Sequence, residues 1–193
     1  GENEIVVFDI LGPKEVKSEG LDKPVLDKLP NDKRLIHRDE GETLDLSGET
    51  PVILSAFKPD NGWQEVKLDA PHKGRYICFE ALSGYGSDAV SSIAEFYVLG
   101  GGGERLSRDP WTVVYADSED VSNGNHSAEK IFDLQESTYW ATVPSTSYPH
   151  QVVIDLGREY EIGGIQYLPR MEAEVPGAVK DYRLYIKHTN FHY

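Results

Sequence analysis

Apolar residues along this chain recur with the short period of a β-strand and nowhere sustain a helical period over three turns. The segments IVVFDI, PVILSAF, WQEVKL, RYICFEAL, IAEFYVL, WTVVYA, QVVIDLG and IGGIQYL are rich in Val, Ile, Tyr and Phe, and clusters of Gly, Pro, Asn and Asp separate them. Short helical turns are expected only at Ser18 to Leu29 and at Ala128 to Phe132, the second with Ser127 as its cap. Many short strands with regular turns and no alternating helices predict an all-β chain, an antiparallel β-sandwich whose strands each bury one face. Trp63, Tyr76, Phe79, Trp140, Ile154 and Tyr167 are expected in its core. Alternation in RYICFEAL puts Tyr76, Cys78 and Glu80 on one side and Ile77, Phe79 and Ala81 on the other, so Glu80 must lie near an edge or be paired.

Composition removes several classes of function. At 193 residues the chain can bury a core as one large domain or two small ones. A single cysteine rules out an intrachain disulfide framework, and Cys78, set in an apolar run, reads as a buried small hydrophobe. The formal charge of -14 argues against nucleic acid and anionic membrane, because phosphate binding needs clustered Lys and Arg that release counterions. The sequence has no apolar run of about eighteen residues, so membrane insertion is not expected.

Four glycines, Gly100 to Gly103, follow a strand and precede the charged ERLSRD. A glycine run buries no side chain and has maximal backbone entropy, so it predicts a joint, with a linker at 101–107 between units at 2–100 and 108–193. In the second unit the segments WTVVYADSED, AEKIFDLQESTYW, PHQVVIDLG, IGGIQYLPR and KDYRLYIK occur in that order. This series resembles the coagulation factor 5/8 type C, or discoidin, family. Its bacterial members are mostly carbohydrate-binding modules of secreted glycoside hydrolases, and the likeness here is to the family-32 type found in gut Bacteroides-like enzymes. The resemblance implies a galactose-binding-like jelly roll. In the first unit, NGWQEVKLDAPHKGRYICFEALSG followed by SSIAEFYVLG resembles the closing half of such a jelly roll, whereas the second unit carries the opening half and stops at HTNFHY. Three arrangements are open: a truncated second module, two halves that complement one another as a permuted single sandwich, or a divergent complete module packed on a curtailed one. Two packed β-sandwich units are the expectation.

The resemblance also implies sites. DLQESTYW is similar to the family's turn that often holds a structural calcium, which makes Asp133 and Thr138 candidate ligands, although Leu134 stands in the place of a glycine and Gln135 in that of an acidic or amide ligand. The alternative is an unmetallated turn in which Asp133 caps the backbone. In galactose-binding relatives the pocket draws on an acidic residue after the first strand, a His after the Thr-x-Trp tryptophan, a second Trp beyond it, and an Arg ending the Pro-Arg strand. Glu119 and Arg170 match the first and last, whereas Ala141 and Pro144 stand where the His and the Trp would be. Either the ligand differs, with Tyr148, His150 or His126 supplying the ring surface, or this copy has lost sugar binding. For Arg170 the competing reading is a strand-end arginine neutralised by Glu172 and Glu174.

No His or Cys metal cluster, phosphate loop or Gly-x-Ser-x-Gly elbow is present, and no two acids are singled out as a glycosidase pair. The resulting expectation is a non-catalytic region of a secreted, periplasmic or cell-surface glycoside hydrolase. Its partners would be a glycan or terminal monosaccharide and the catalytic domain of the parent glycosidase. The rival is a structural spacer that binds nothing soluble.

Overall fold

The computed structural model describes residues 4–9, 12–17, 43–172 and 177–193. Strands β1 (Glu4–Asp9) and β2 (Gly12–Lys17) pair antiparallel in a sheet of their own. The remaining strands are β3 (Ile53–Ala56), β4 (Gln64–Ala81), β5 (Ser92–Ile93), β6 (Glu95–Gly100), β7 (Thr112–Ala116), β8 (Trp140–Ala141), β9 (His150–Leu168) and β10 (Asp181–Lys187). Every pairing is antiparallel. The expected turn at Ala128–Phe132 is a 3-10 helix, whereas Ser18 to Leu29 lies outside the described residues. The all-β antiparallel class read from the sequence is therefore the observed one.

Two pairs of expected strands are fused. WQEVKL and RYICFEAL are the two ends of β4, and QVVIDLG and IGGIQYL the two ends of β9. The intervening turn-like residues stay in the ladder because register shifts between Lys67 and His72 and between Gly74 and Tyr76 absorb them. β9 takes β4 along one edge and, along the other, β7 beside its first half and β6 beside its second. Gly163 and Gly164 permit that crowding, since a Cβ there would strike the carbonyls of Gly100 and Val66.

The long strands bend so that the sheet covers itself. Phe57 stacks on Tyr167 at 4.1 Å and on Tyr182 at 4.2 Å, and also meets Phe79 at 6.3 Å. Tyr167 pairs with Gln64 at the start of β4, whereas Phe79 lies near its end. A flat extended strand would hold those two positions about 50 Å apart, so only a sheet folded over a core can bring both to one ring. That core runs through Ile77, Phe79, Phe96, Trp140, Ile154, Ile165 and Tyr182. On the opposite face of β4 and β9, Cys78 and Val153 lie beside their ladder partners Tyr185 and Tyr115 and cluster with Leu44 and Phe191. The alternation expected in RYICFEAL is thus real, with both faces covered. Glu80 is paired, accepting from Gln151 Nε2 at 2.7 Å and from Arg183 at 3.3 Å. Of the expected core residues, Phe79, Trp140, Ile154 and Tyr167 are buried. Tyr76 is half-buried, and Trp63 is 37% exposed because it sits in the loop before β4.

The expected division into two sandwich units is corrected by the sheet. Strands β3, β4 and β6 from before the glycine run and β7, β9 and β10 from after it share one sheet and one core. The glycines form a tight turn instead, closed by Gly103 N–H to Gly100 O at 2.9 Å and Gly100 N–H to Glu104 O at 2.8 Å.

Residues 104–193 expressed alone are expected to show no cooperative thermal transition, because β9 would lose β4 from one edge and β6 from the other. Supplying residues 43–103 in trans should restore the transition. A sharp transition for the isolated fragment would vindicate the two-unit division.

Candidate functional site

A groove of about 580 Å³ opens at one end of the sandwich, lined by residues that include Asp88, Asp120, Asn123, His126, Tyr139 and Arg170. Backbone pairing builds it. Asp120 N–H donates to Ala141 O at 2.8 Å, Ala141 N–H to His126 O at 3.2 Å, and His126 N–H to Asp120 O at 3.2 Å. The first two tie the 120–126 loop to β8, and the third closes the loop on itself. Trp140 points from β8 into the core, where its indole N–H donates to Ser118 O at 2.9 Å, so its neighbour Tyr139 faces the groove.

The floor of the groove is a three-membered stack. The His126 ring lies parallel to Tyr139 with centroids 4.3 Å apart, and the Arg170 guanidinium lies 4.0 Å from the same centroid. Two groups at that distance from one ring cannot share a face, so Tyr139 is sandwiched between them. Arg170 also donates to Glu172 Oε1 at 2.5 Å. That hydrogen bond holds the Glu172 carboxyl below its ordinary range. Asp120 is likewise held low, by the Ser122 hydroxyl and amide, so an ionised carboxylate and a guanidinium both line the groove.

Of the five expected sugar-binding residues, the structure brings His126 and Arg170 together here and employs the other three elsewhere. Glu119 is buried and accepts from Ala128 N–H at 2.8 Å, so it caps the 3-10 helix in place of Ser127, whose side chain makes no cap bond. His150 is fully buried and bridges Asp117, at 2.8 Å, to the Ala89 carbonyl at 2.5 Å. Tyr148 donates to Val90 O at 3.0 Å and packs on the core. Tyr139, Asp120 and Asn123 were not anticipated. The pairing of Arg170 with Glu172 is as expected, and Glu174 lies outside the described residues. Ala141 and Pro144 line this same groove.

The turn expected to hold calcium satisfies itself. Asp133 Oδ2 accepts from Thr138 Oγ1 at 2.5 Å, its Oδ1 accepts from Gln135 N–H at 3.0 Å, and the Lys130 ammonium stands 3.8 Å from Oδ2. Leu134 takes the left-handed conformation, φ 66°, that its family counterpart glycine would take. Calcium wants six to eight oxygens, and among the described residues no three His, Cys, Asp or Glu side chains are grouped to hold a metal.

Glu95, at the start of β6, lies against this turn and also accepts from Gln135 N–H, at 3.1 Å. Burial pushes its carboxyl up to about 7, against the pull of its partner Arg108 and with a further push from Asp133. Its pKa in the fold is above the unfolded value, so its stabilising contribution is complete below about pH 4.5 and is lost as pH rises through about 7.

Two predictions follow from the turn. Asp133→Ala should cost about 1–2 kcal/mol by urea unfolding, in chelator and in calcium alike, because it strips partners from Gln135 N–H and Thr138. Glu95→Gln keeps the side chain uncharged at every pH, so its loss of stability between about pH 5 and pH 8, read by urea unfolding, should be smaller than that of the wild type by on the order of 2–3 kcal/mol.

Comparison with known proteins bears on the same region. A family model, the F5/8 type C domain, matches residues 114–193. A sialidase from Micromonospora viridifaciens is 31% identical over 84 residues, which amount to 42% of this chain and 13% of the sialidase. The matched segment supplies Tyr139 and Arg170 to the groove and β9 and β10 to the sheet. The F5/8 type C match thus spans β9 and β10, whose sheet is completed by strands that precede it.

Proposed function

We propose that the chain is a non-catalytic carbohydrate-binding module that takes the terminal sugar of a glycan in the His126–Tyr139–Arg170 groove, and that it serves as an accessory region of a secreted glycoside hydrolase. The observation that carries this reading is the stack itself. Sugar sites combine a ring surface with planar polar groups that bridge adjacent hydroxyls, and the groove sets an imidazole, a guanidinium and the Asp120 carboxylate around one cavity. Because Arg170 and His126 cover both faces of Tyr139, the outward face of His126 is the surface left for the apolar side of a pyranose. Ala141 and Pro144 leave open the space that larger rings would fill. The sialidase relative supports a glycan-processing context. The spacer reading retains one observation, the pairing of Arg170 with Glu172.

Binding of one monosaccharide should be weak, on the order of millimolar, since about twelve heavy atoms at about 0.3 kcal/mol each supply little free energy. A glycan array followed by calorimetry should find a neutral sugar whose binding is insensitive to salt. Both His126→Ala and Arg170→Ala should reduce it at least tenfold while the melting curve stays cooperative. Array silence, or binding untouched by both variants, would leave the spacer reading in possession.

A further inference from the structure

The outer face of the sheet carries a second constellation, built by strand alternation. Phe96 and Val98 turn into the core, so Tyr97 between them turns outward. Its ladder partner on β9 is Gln166, and the partner of Gln166 on β4 is Glu65, so the three side chains stand in a row. Trp63, two residues before Glu65, reaches Tyr97 with ring centroids 5.7 Å apart. Arg105 is laid over this row. Its guanidinium carbon is 3.9 Å from the Tyr97 centroid and 4.9 Å from that of Trp63, while Nε donates to Gln166 Oε1 at 2.7 Å. Gln166 Nε2 donates in turn to Glu65 at 2.7 Å, which fixes the amide with its oxygen toward Arg105.

Arg75, Arg108, Arg170 and Arg183 each meet a carboxylate. Among the described residues none pairs with Arg105, although the chain carries a formal charge of -14. Two rings and a neutral amide hold this exposed guanidinium in place, and the donors of its Nη edge remain for a group from outside the chain. A planar fork held in this way matches a carboxylate and has little freedom left to lose on binding it.

Beside Arg105 lies a groove of about 520 Å³ whose lining includes Arg108, Asp109, Trp111, Phe132 and Leu134. Its wall is short of acceptors, since Trp111 Nε1 and Arg108 Nε are buried without one. Phe132 and Leu134 make it apolar on one side, and Leu134 is 71% exposed. A compact ring with an apolar face and a carboxylate attached to it answers both features.

We propose that this groove is a second carbohydrate subsite, one that takes a hexuronic acid residue with its carboxylate on the Nη edge of Arg105 and its ring against Phe132 and Leu134. The groove shares no lining residue with that of His126, so the two sites are separable by experiment.

The test is calorimetric titration with methyl glucuronide and methyl galacturonide, each beside its parent methyl hexoside, which has a hydroxymethyl group in place of the carboxylate. At least one uronide should bind in roughly the millimolar range, about tenfold or more tighter than its hexoside, and weaken as salt is raised. Arg105→Ala should reduce that binding roughly tenfold or more with the melting curve unchanged, and Arg105→Lys, which keeps the charge without the fork, about threefold or more. Asp109→Asn should tighten it about two- to threefold by removing a like charge from the groove. Arg170→Ala should leave it as it is. Uronides that bind no better than hexosides would overturn the proposal, as would binding that survives Arg105→Ala or is lost in Arg170→Ala. So would N-acetylglutamate held as tightly as the better uronide, since the groove would then read a carboxylate without a sugar. Should Arg105→Ala not fold, Arg105→Lys carries the test, and undiminished uronide binding in it overturns the assignment.

Discussion

The ladder between β4 and β9 is the interaction on which the rest of this molecule depends. Each strand is long enough to serve both halves of the bent sheet, so their pairing places β10 and β3 beyond one edge and β7 and β6 beyond the other. The bend is localised at the register shifts near Lys67, His72 and Gly74, where the ladder gives up regular hydrogen bonds and gains a sheet that closes on its own core. Stacking of Phe57 on Tyr167 and Tyr182 then holds the two halves face to face. An edge left by removing either long strand would expose unpaired backbone across the whole domain.

This dependence explains which structural features were legible in the sequence. Period-two alternation fixed the two faces of RYICFEAL and with them the burial of Cys78 and the need to pair Glu80, because alternation is a local property of the strand. Long-range pairing has no such local mark. The glycine run looked like a joint since glycine is permissive in linkers and tight turns alike, and only the partners of β6 and β7 on β9 distinguish the two. Trp63 misled for a similar reason. A large aromatic before a strand is usually core, yet this ring leans on Tyr97 at 5.7 Å and beneath Arg105 at 4.9 Å, at the surface.

At the groove the same rule would have reached further than it was taken. Trp140 was expected in the core, and if it points inward then Tyr139 must point outward; the sequence therefore held the signal for the ring at the centre of the stack. Glu119 and Asp120 repeat the lesson. The inward member caps the 3-10 helix and the next residue lines the groove. Arg170 was legible because a resemblance placed it at the end of a strand, whereas His150 and Tyr148 were attractive by residue type alone and proved to be bound to buried carbonyls.

The positions of the groove residues follow from the backbone. Two main-chain hydrogen bonds join the 120–126 loop to β8 and a third closes the loop, and Arg170 arrives just beyond the end of β9, the strand held by the most partners in the sheet. Its guanidinium then locks onto Tyr139, and Tyr139 onto His126. A site positioned in this way loses little conformational freedom when a ligand enters, and a ligand as small as a monosaccharide, with few atoms to offset any ordering cost, can bind only where that cost is low. The buried pair of Arg108 and Glu95 serves the same end from behind, because Arg108 donates to Ile131 O and Glu95 accepts from Gln135 N–H in the stretch that leads into Tyr139.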